Sequence, residues 1–119
     1  MTTPLTLDEF TAALREALPE AAVTKTGTLM ERWRQYHEAI VNLHGGDFEV
    51  HYTLNPMDES KRWRLVWSDH GDVATARELR PFMAAQARRK AKLARRAVRE
   101  ASDRAKAFTA TAKLIEASL

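Results

Sequence analysis

The stretch Thr28–Gly46, TLMERWRQYHEAIVNLHGG, admits two readings, and the choice between them sets the fold. Thr28-Leu29-Met30-Glu31 has the form of a capping box, in which a Thr hydroxyl and a Glu carboxylate satisfy the free N–H groups that open a helix. Leu29, Trp33, Tyr36, Ile40 and Leu43 follow at alternating steps of four and three, and Gly45-Gly46 can end the helix. The competing reading is a strand that pairs with the next one through the two glycines. Trp, Tyr, Ile and Val allow it, but the heptad-like spacing favours a helix over residues 29–43.

Toward the N-terminus the signals are clearer. Thr6-Leu7-Asp8-Glu9 is a second capping box. Phe10, Ala13, Leu14, Ala17 and Leu18 then fall on one helix face, and Pro19 marks its end. Residues 21–26 form a connector, with a strand possible around Val23.

Toward the C-terminus, Asp47–Leu54 alternates apolar Phe48, Val50, Tyr52 and Leu54 with Glu49, His51 and Thr53, the pattern of a half-buried strand. Residues 55–60 have turn composition. Arg62–Trp67 reads as the return strand, with Trp63, Leu65 and Trp67 on a buried face and Arg62 and Arg64 on the other. A hairpin alone is barely stable, so helices should cover its aromatic face. Asp72 is placed to cap a helix from Val73. Pro81 would then force either a short helix at 73–80 and a new one, or a kink near Arg77.

The expected fold class is therefore α+β in the order α-α-β-β-α. Two N-terminal helices and an antiparallel hairpin make an acidic domain over residues 1–80. A long, Ala-rich, basic helix follows over residues 81–119, packed on that domain or on another chain. No Gly or Pro occurs after Pro81. Ala84, Ala87, Ala91, Ala94, Val98, Ala101, Ala105, Phe108, Ala112, Ile115 and Leu119 repeat at steps of three and four without a polar exception. Such a seam suits knobs-into-holes packing against a second helix. Its apolar arc is widened by Leu93, Ala97, Ala107 and Leu114, with Lys90 and Arg104 as exceptions on that flank, which favours burial against a broad surface.

The net charge of +3 conceals a division. Residues 1–79 carry 8 Lys/Arg against 13 Asp/Glu, a net of −5, and residues 80–119 carry 11 against 3, a net of +8. Either the two parts neutralise each other or the basic helix is reserved for a polyanion. The chain holds no cysteine, which excludes disulfides, thiol catalysis and Cys-ligated zinc and fits a reducing compartment. With neither a membrane-spanning apolar run nor a signal-like start, the expected location is cytoplasmic and no membrane partner is expected. The Ala/Arg-rich composition fits a GC-rich genome, such as that of a phage or mobile element.

Catalytic motifs are sparse. Gly45-Gly46 lacks the rest of any phosphate-binding loop, and Ser60 and Ser68 have no nucleophile-elbow context. On one helix, His37 and His44 would be two turns apart, too far for a metal pair. A His/Asp cluster of His51, Asp69, His70 and Asp72 at one end of the hairpin is the one candidate; turn, cap and solvated-loop roles explain the same residues. Lys61-Arg62-Trp63-Arg64 interleaves cations with an aromatic, but alternation sends Trp63 into the core. The expectation is a protein without catalytic residues, metal or cofactor that works by binding. Its candidate nucleic-acid contacts are Arg88, Arg89, Lys92, Arg95, Arg96 and Arg99. Its candidate protein interface is Ala87, Ala91, Ala94, Val98, Ala101, Ala105, Phe108 and Ile115, with an acidic protein surface, a homodimer or a larger assembly as the alternative partner.

Overall fold

A computed structural model describes residues 3–68 and 72–119. The elements are α1 (Leu7–Ala17), β1 (Ala22–Glu31), β2 (Arg34–Leu43), β3 (Gly46–Thr53), β4 (Trp63–Leu65) and α2 (Leu79–Ala117). The order is α-β-β-β-β-α, with one antiparallel sheet in the spatial order β1-β2-β3-β4. The expectation of two N-terminal helices and a single hairpin is corrected at this point. No helix occupies residues 29–43. That stretch is the end of β1, a tight turn and the whole of β2.

The reason lies in what the 4-3 spacing collects. Leu29 and Tyr36 are cross-strand partners, Trp33 sits in the turn, and Ile40 and Leu43 fall on opposite faces of β2. Thr28 caps nothing; its hydroxyl meets Nδ1 of His37 at 2.8 Å. The glycines serve the hairpin reading instead. His44 and Gly45 both have positive φ, 50° and 85°, as a two-residue turn between antiparallel strands requires. This turn sets β2 against β3 so that His37, Ala39 and Val41 face Tyr52, Val50 and Phe48. The connector read as a possible strand at 21–26 is the start of β1.

The core lies on one face of this sheet. Phe10, Leu14 and Leu18 of the first helical segment are fully enclosed by Val41, Val50, Tyr52, Trp63 and Leu65 from the sheet and by Val73, Ala76, Leu79 and Met83 from the chain after β4. Phe10 stacks on Trp63 at 5.4 Å between ring centroids and touches the rings of His37 and Tyr52. The Thr6 capping box forms as its sequence requires, with both reciprocal bonds present. Arg80 ties the two helical segments together: it donates to the carbonyl of Ala17 at 2.9 Å and pairs with Glu20 at 2.7 Å.

Three smaller expectations change. Asp72 does not cap a helix; it pairs with Arg64 at 3.1 Å, and Val73 bridges back to Trp63. Pro81 neither breaks nor restarts the last helix. A 3-10 turn at Ala76–Glu78 runs into α2, which leaves Pro81 in the first helical turn, where its missing N–H has no acceptor to satisfy. Of the three tryptophans only Trp63 is core; Trp33 and Trp67 are exposed, Trp67 with a φ of 65° just past the end of β4.

The chain divides into two compact units, Met1–Gln86 and Ala87–Leu119. The second consists of the remainder of α2 and the two residues after it, and every one of its residues is exposed.

Candidate nucleic-acid interface

In the second unit the helix sorts its charges by periodicity. Arg88, Lys92, Arg95 and Arg99 are spaced by four, three and four, so their side chains rise from one face. Lys106 and Lys113 extend the same line by steps of seven. From Arg88 to Lys113 the stripe is about 37 Å long at the helical rise of 1.5 Å per residue. Arg88, Lys92, Arg95 and Arg99 are exposed and, among the described residues, make no ion pair or hydrogen bond with another side chain. Arg89 and Arg96 lie beside this line, and Arg96 is engaged by Glu100 at 3.2 Å, one helical turn on. This pair is solvated and contributes a few tenths of a kcal/mol, about 0.3–0.5.

Residues of the expected protein interface line another side of the same helix. Ala87, Ala91, Ala94, Val98, Ala101, Ala105, Phe108 and Ile115 are all exposed, with Val98 at 70% and Phe108 at 69% of full exposure. Among the described residues no helix is long and apolar enough to cross a membrane.

The folded unit carries a second polar constellation, on the sheet face opposite the core. Tyr36, Glu38, Glu49, His51 and Arg64 project from this face by alternation, and pairing of β3 with β2 on one side and β4 on the other sets His51 opposite both Glu38 and Arg64. His51 and Tyr36 are buried there although they face away from the core, because they cover each other. Their rings stack at 4.3 Å, and the Arg34 guanidinium lies 4.4 Å over Tyr36. The Tyr36 hydroxyl donates to Glu31 at 2.9 Å; burial, and then this bond, push its pKa up.

The oxygens of Glu38 and Glu49 and a ring nitrogen of His51 lie within 4.8 Å of one another, close enough to invite a metal. The neighbouring groups oppose one. Arg34 Nη2 stands 3.4 Å from Nδ1 of His51, which must therefore accept, so Nε2 carries the proton and donates it to Glu49 at 2.7 Å. A metal at Nε2 would need the reverse tautomer, with an N–H pointed at a guanidinium. Burial lowers the His51 pKa, the Glu49 bond opposes the shift, and Arg34 adds to it.

Beside this cluster an open pocket of about 360 Å³ is lined by Arg34, Thr53, Lys61, Arg64, Asp58 and Asp72, among others. Its cations are partly spent, since Arg64 holds Asp72 and Arg34 donates to Thr53 at 3.3 Å. Arg62 is not part of any exposed face, against expectation. It is buried, chelated by Glu59 at 2.8 and 3.0 Å, and donates to the carbonyls of Thr53 and Leu54. In the postulated His/Asp cluster, His51 and Asp72 are drawn into separate pairs, and Asp69 and His70 lie outside the described residues.

The residues that sequence reasoning missed are Arg34, Tyr36, Glu38 and Glu49, which gather around His51 only once β2 is a strand. Comparison with protein-family models, with curated proteins and with solved structures finds no match to this chain.

Proposed function

We propose that this chain is a non-enzymatic, cytoplasmic nucleic-acid-binding protein whose contacts are made by the basic face of α2, through Arg88, Arg89, Lys92, Arg95, Arg96 and Arg99. The observation that supports this reading is the set of four unpaired, exposed cations Arg88, Lys92, Arg95 and Arg99 on one helix face. Unpaired cations in a row release counterions when they meet a phosphate backbone, and contacts of this kind position a protein without reading base sequence. The reading is therefore of a binder that tolerates many sequences. The polar face around His51 supports catalysis less well, because its charged groups satisfy one another.

The test is fluorescence anisotropy with mixed-sequence duplex DNA, single-stranded DNA and RNA, between about 50 and 200 mM salt. Four phosphate contacts predict a slope of log K against log salt of about −3 to −4. Reversing Arg88, Lys92, Arg95 and Arg99 to Glu together should abolish binding to all three probes. Absence of binding at low salt, or binding that survives the reversal, overturns the proposal. A second reading, an adaptor or assembly component acting on an acidic protein surface, is favoured by the exposed apolar residues Val98, Phe108 and Ile115 on the same helix.

A further inference from the structure

We infer that the segment Ala87–Leu119 pairs with the same segment of a second copy of this chain, antiparallel, along its apolar seam. The inference stands apart from nucleic-acid binding. It begins from exposure: Val98, Phe108 and Ile115 stand at 70, 69 and 56% of full exposure on one side of a continuous helix, and Leu119, two residues past its end, stands at 97%. In heptad terms Ala91, Val98, Ala105, Ala112 and Leu119 are a positions, and Ala87, Ala94, Ala101, Phe108 and Ile115 are d positions.

Two features select a second copy, and in reverse direction. The first is volume. The small residues are concentrated in the first half of the segment and the large ones in the second. A parallel pair would set Phe108 on Phe108 and Ile115 on Ile115 at one end and Ala on Ala at the other, splaying the axes. An antiparallel pair centred near Asp103 sets Val98 against Phe108, Ala91 against Ile115, Ala87 against Leu119 and Ala101 against Ala105 of the other copy. Large meets small in the outer layers, Ala87 with Leu119 and Ala91 with Ile115, and the bulky pair Val98 with Phe108 recurs on either side of the central Ala layers, so the bulk is shared between both ends of the pair instead of gathering at one.

The second feature is charge. Residues 87–102 hold seven Lys/Arg and one Glu, a net of +6, while residues 103–119 hold three Lys/Arg and two acids, a net of +1. Parallel pairing brings the two +6 halves together and places Lys90 beside Arg95 on both flanks. Antiparallel pairing sets each basic half against a nearly neutral one and brings Arg88 to Glu116 of the other copy twice. Its one repulsive flank contact is Arg104 with Arg104 near the centre.

The sequence has no cysteine, so introduced thiols report alone. Sedimentation equilibrium of the full chain, without nucleic acid, should show a reversible monomer–dimer equilibrium. Ala101→Glu should weaken it about tenfold or more, by burying an unpaired charge at the centre, while leaving the exposed helix folded by circular dichroism. On mild oxidation, Val98→Cys mixed with Phe108→Cys should give a mixed disulfide dimer, and neither variant alone should cross-link. The two copies of residue 98 would lie about 15 Å apart, beyond disulfide reach. A strict monomer, an assembly other than a dimer, a dimer indifferent to Ala101→Glu, self-cross-linking of either single variant, or a failure of the mixed pair to cross-link each overturns the inference.

Discussion

Nη2 of Arg34 stands 3.4 Å from Nδ1 of His51, so a guanidinium and an imidazole share one polar cluster on the outer face of the sheet. The His51 pKa is lowered from its ordinary 6.5, first by burial. The unfolded chain therefore takes up this proton at a higher pH than the folded chain. Stability should be unaffected by His51 above about pH 6.5 and should fall as the pH drops below it toward the lowered value, by at most about 1.4 kcal/mol per pH unit. Thermal melts from about pH 7.5 to 5 on wild type and His51→Gln check this, with a smaller acid slope expected in the variant.

Arg62 is expected to be the most sensitive cation in the chain. Its removal strips Glu59 of its partner and leaves the carbonyls of Thr53 and Leu54 without a donor beneath the β3–β4 connection. Arg62→Ala should cost about 2–4 kcal/mol in urea denaturation. Arg62→Lys should not restore it, because an ammonium cannot hold the planar two-oxygen grip on Glu59. Glu59→Gln should cost less than either, since its carboxylate lies largely in solvent.

Phe10 holds α1 on the sheet through three ring contacts. Phe10→Ala should cost about 3–5 kcal/mol, which raises the unfolded fraction by about two to four orders of magnitude. Amide exchange should then accelerate across β2 and β3 together, and loss of protection confined to α1 would contradict the shared core.

The two glycines of the β2–β3 turn should answer differently to the same substitution. Gly45 has a φ of +85°, and Gly45→Ala should cost about 1 kcal/mol or more although nothing lies near the added methyl. Gly46 has ordinary backbone, and an added Cβ would meet the Leu43 carbonyl oxygen at 3.5 Å, a normal contact. Gly46→Ala should therefore be tolerated. Parallel urea titrations of the two variants decide it.

What could be read from sequence was local. The Thr6 capping box, the Phe10/Leu14/Leu18 stripe, the alternation of β3 and the uninterrupted helix after Pro81 each rest on contacts a few residues apart. β2 defeats the same procedure because both of its faces mix polar and apolar residues. Its core face carries His37 beside Ala39 and Val41; its other face carries Tyr36 and Ile40 beside Glu38. No period of two survives, and the accidental 4-3 spacing remains. The cluster around His51 was illegible for a related reason: Arg34, Tyr36, Glu38 and Glu49 meet it through register, and one residue of slip would send them to the core face.

β1 lies at the edge of the sheet and is ten residues long, a natural landing place for a foreign strand. Between Thr24 and Gly27 its register with β2 jumps, and Lys25 within the jump has a φ of 49°. The irregularity bends the outer row of amides and plants an ammonium in it, so an incoming chain can zip only a few residues before losing alignment. A break that looks like imperfect pairing thus acts as a guard against amyloid-type growth.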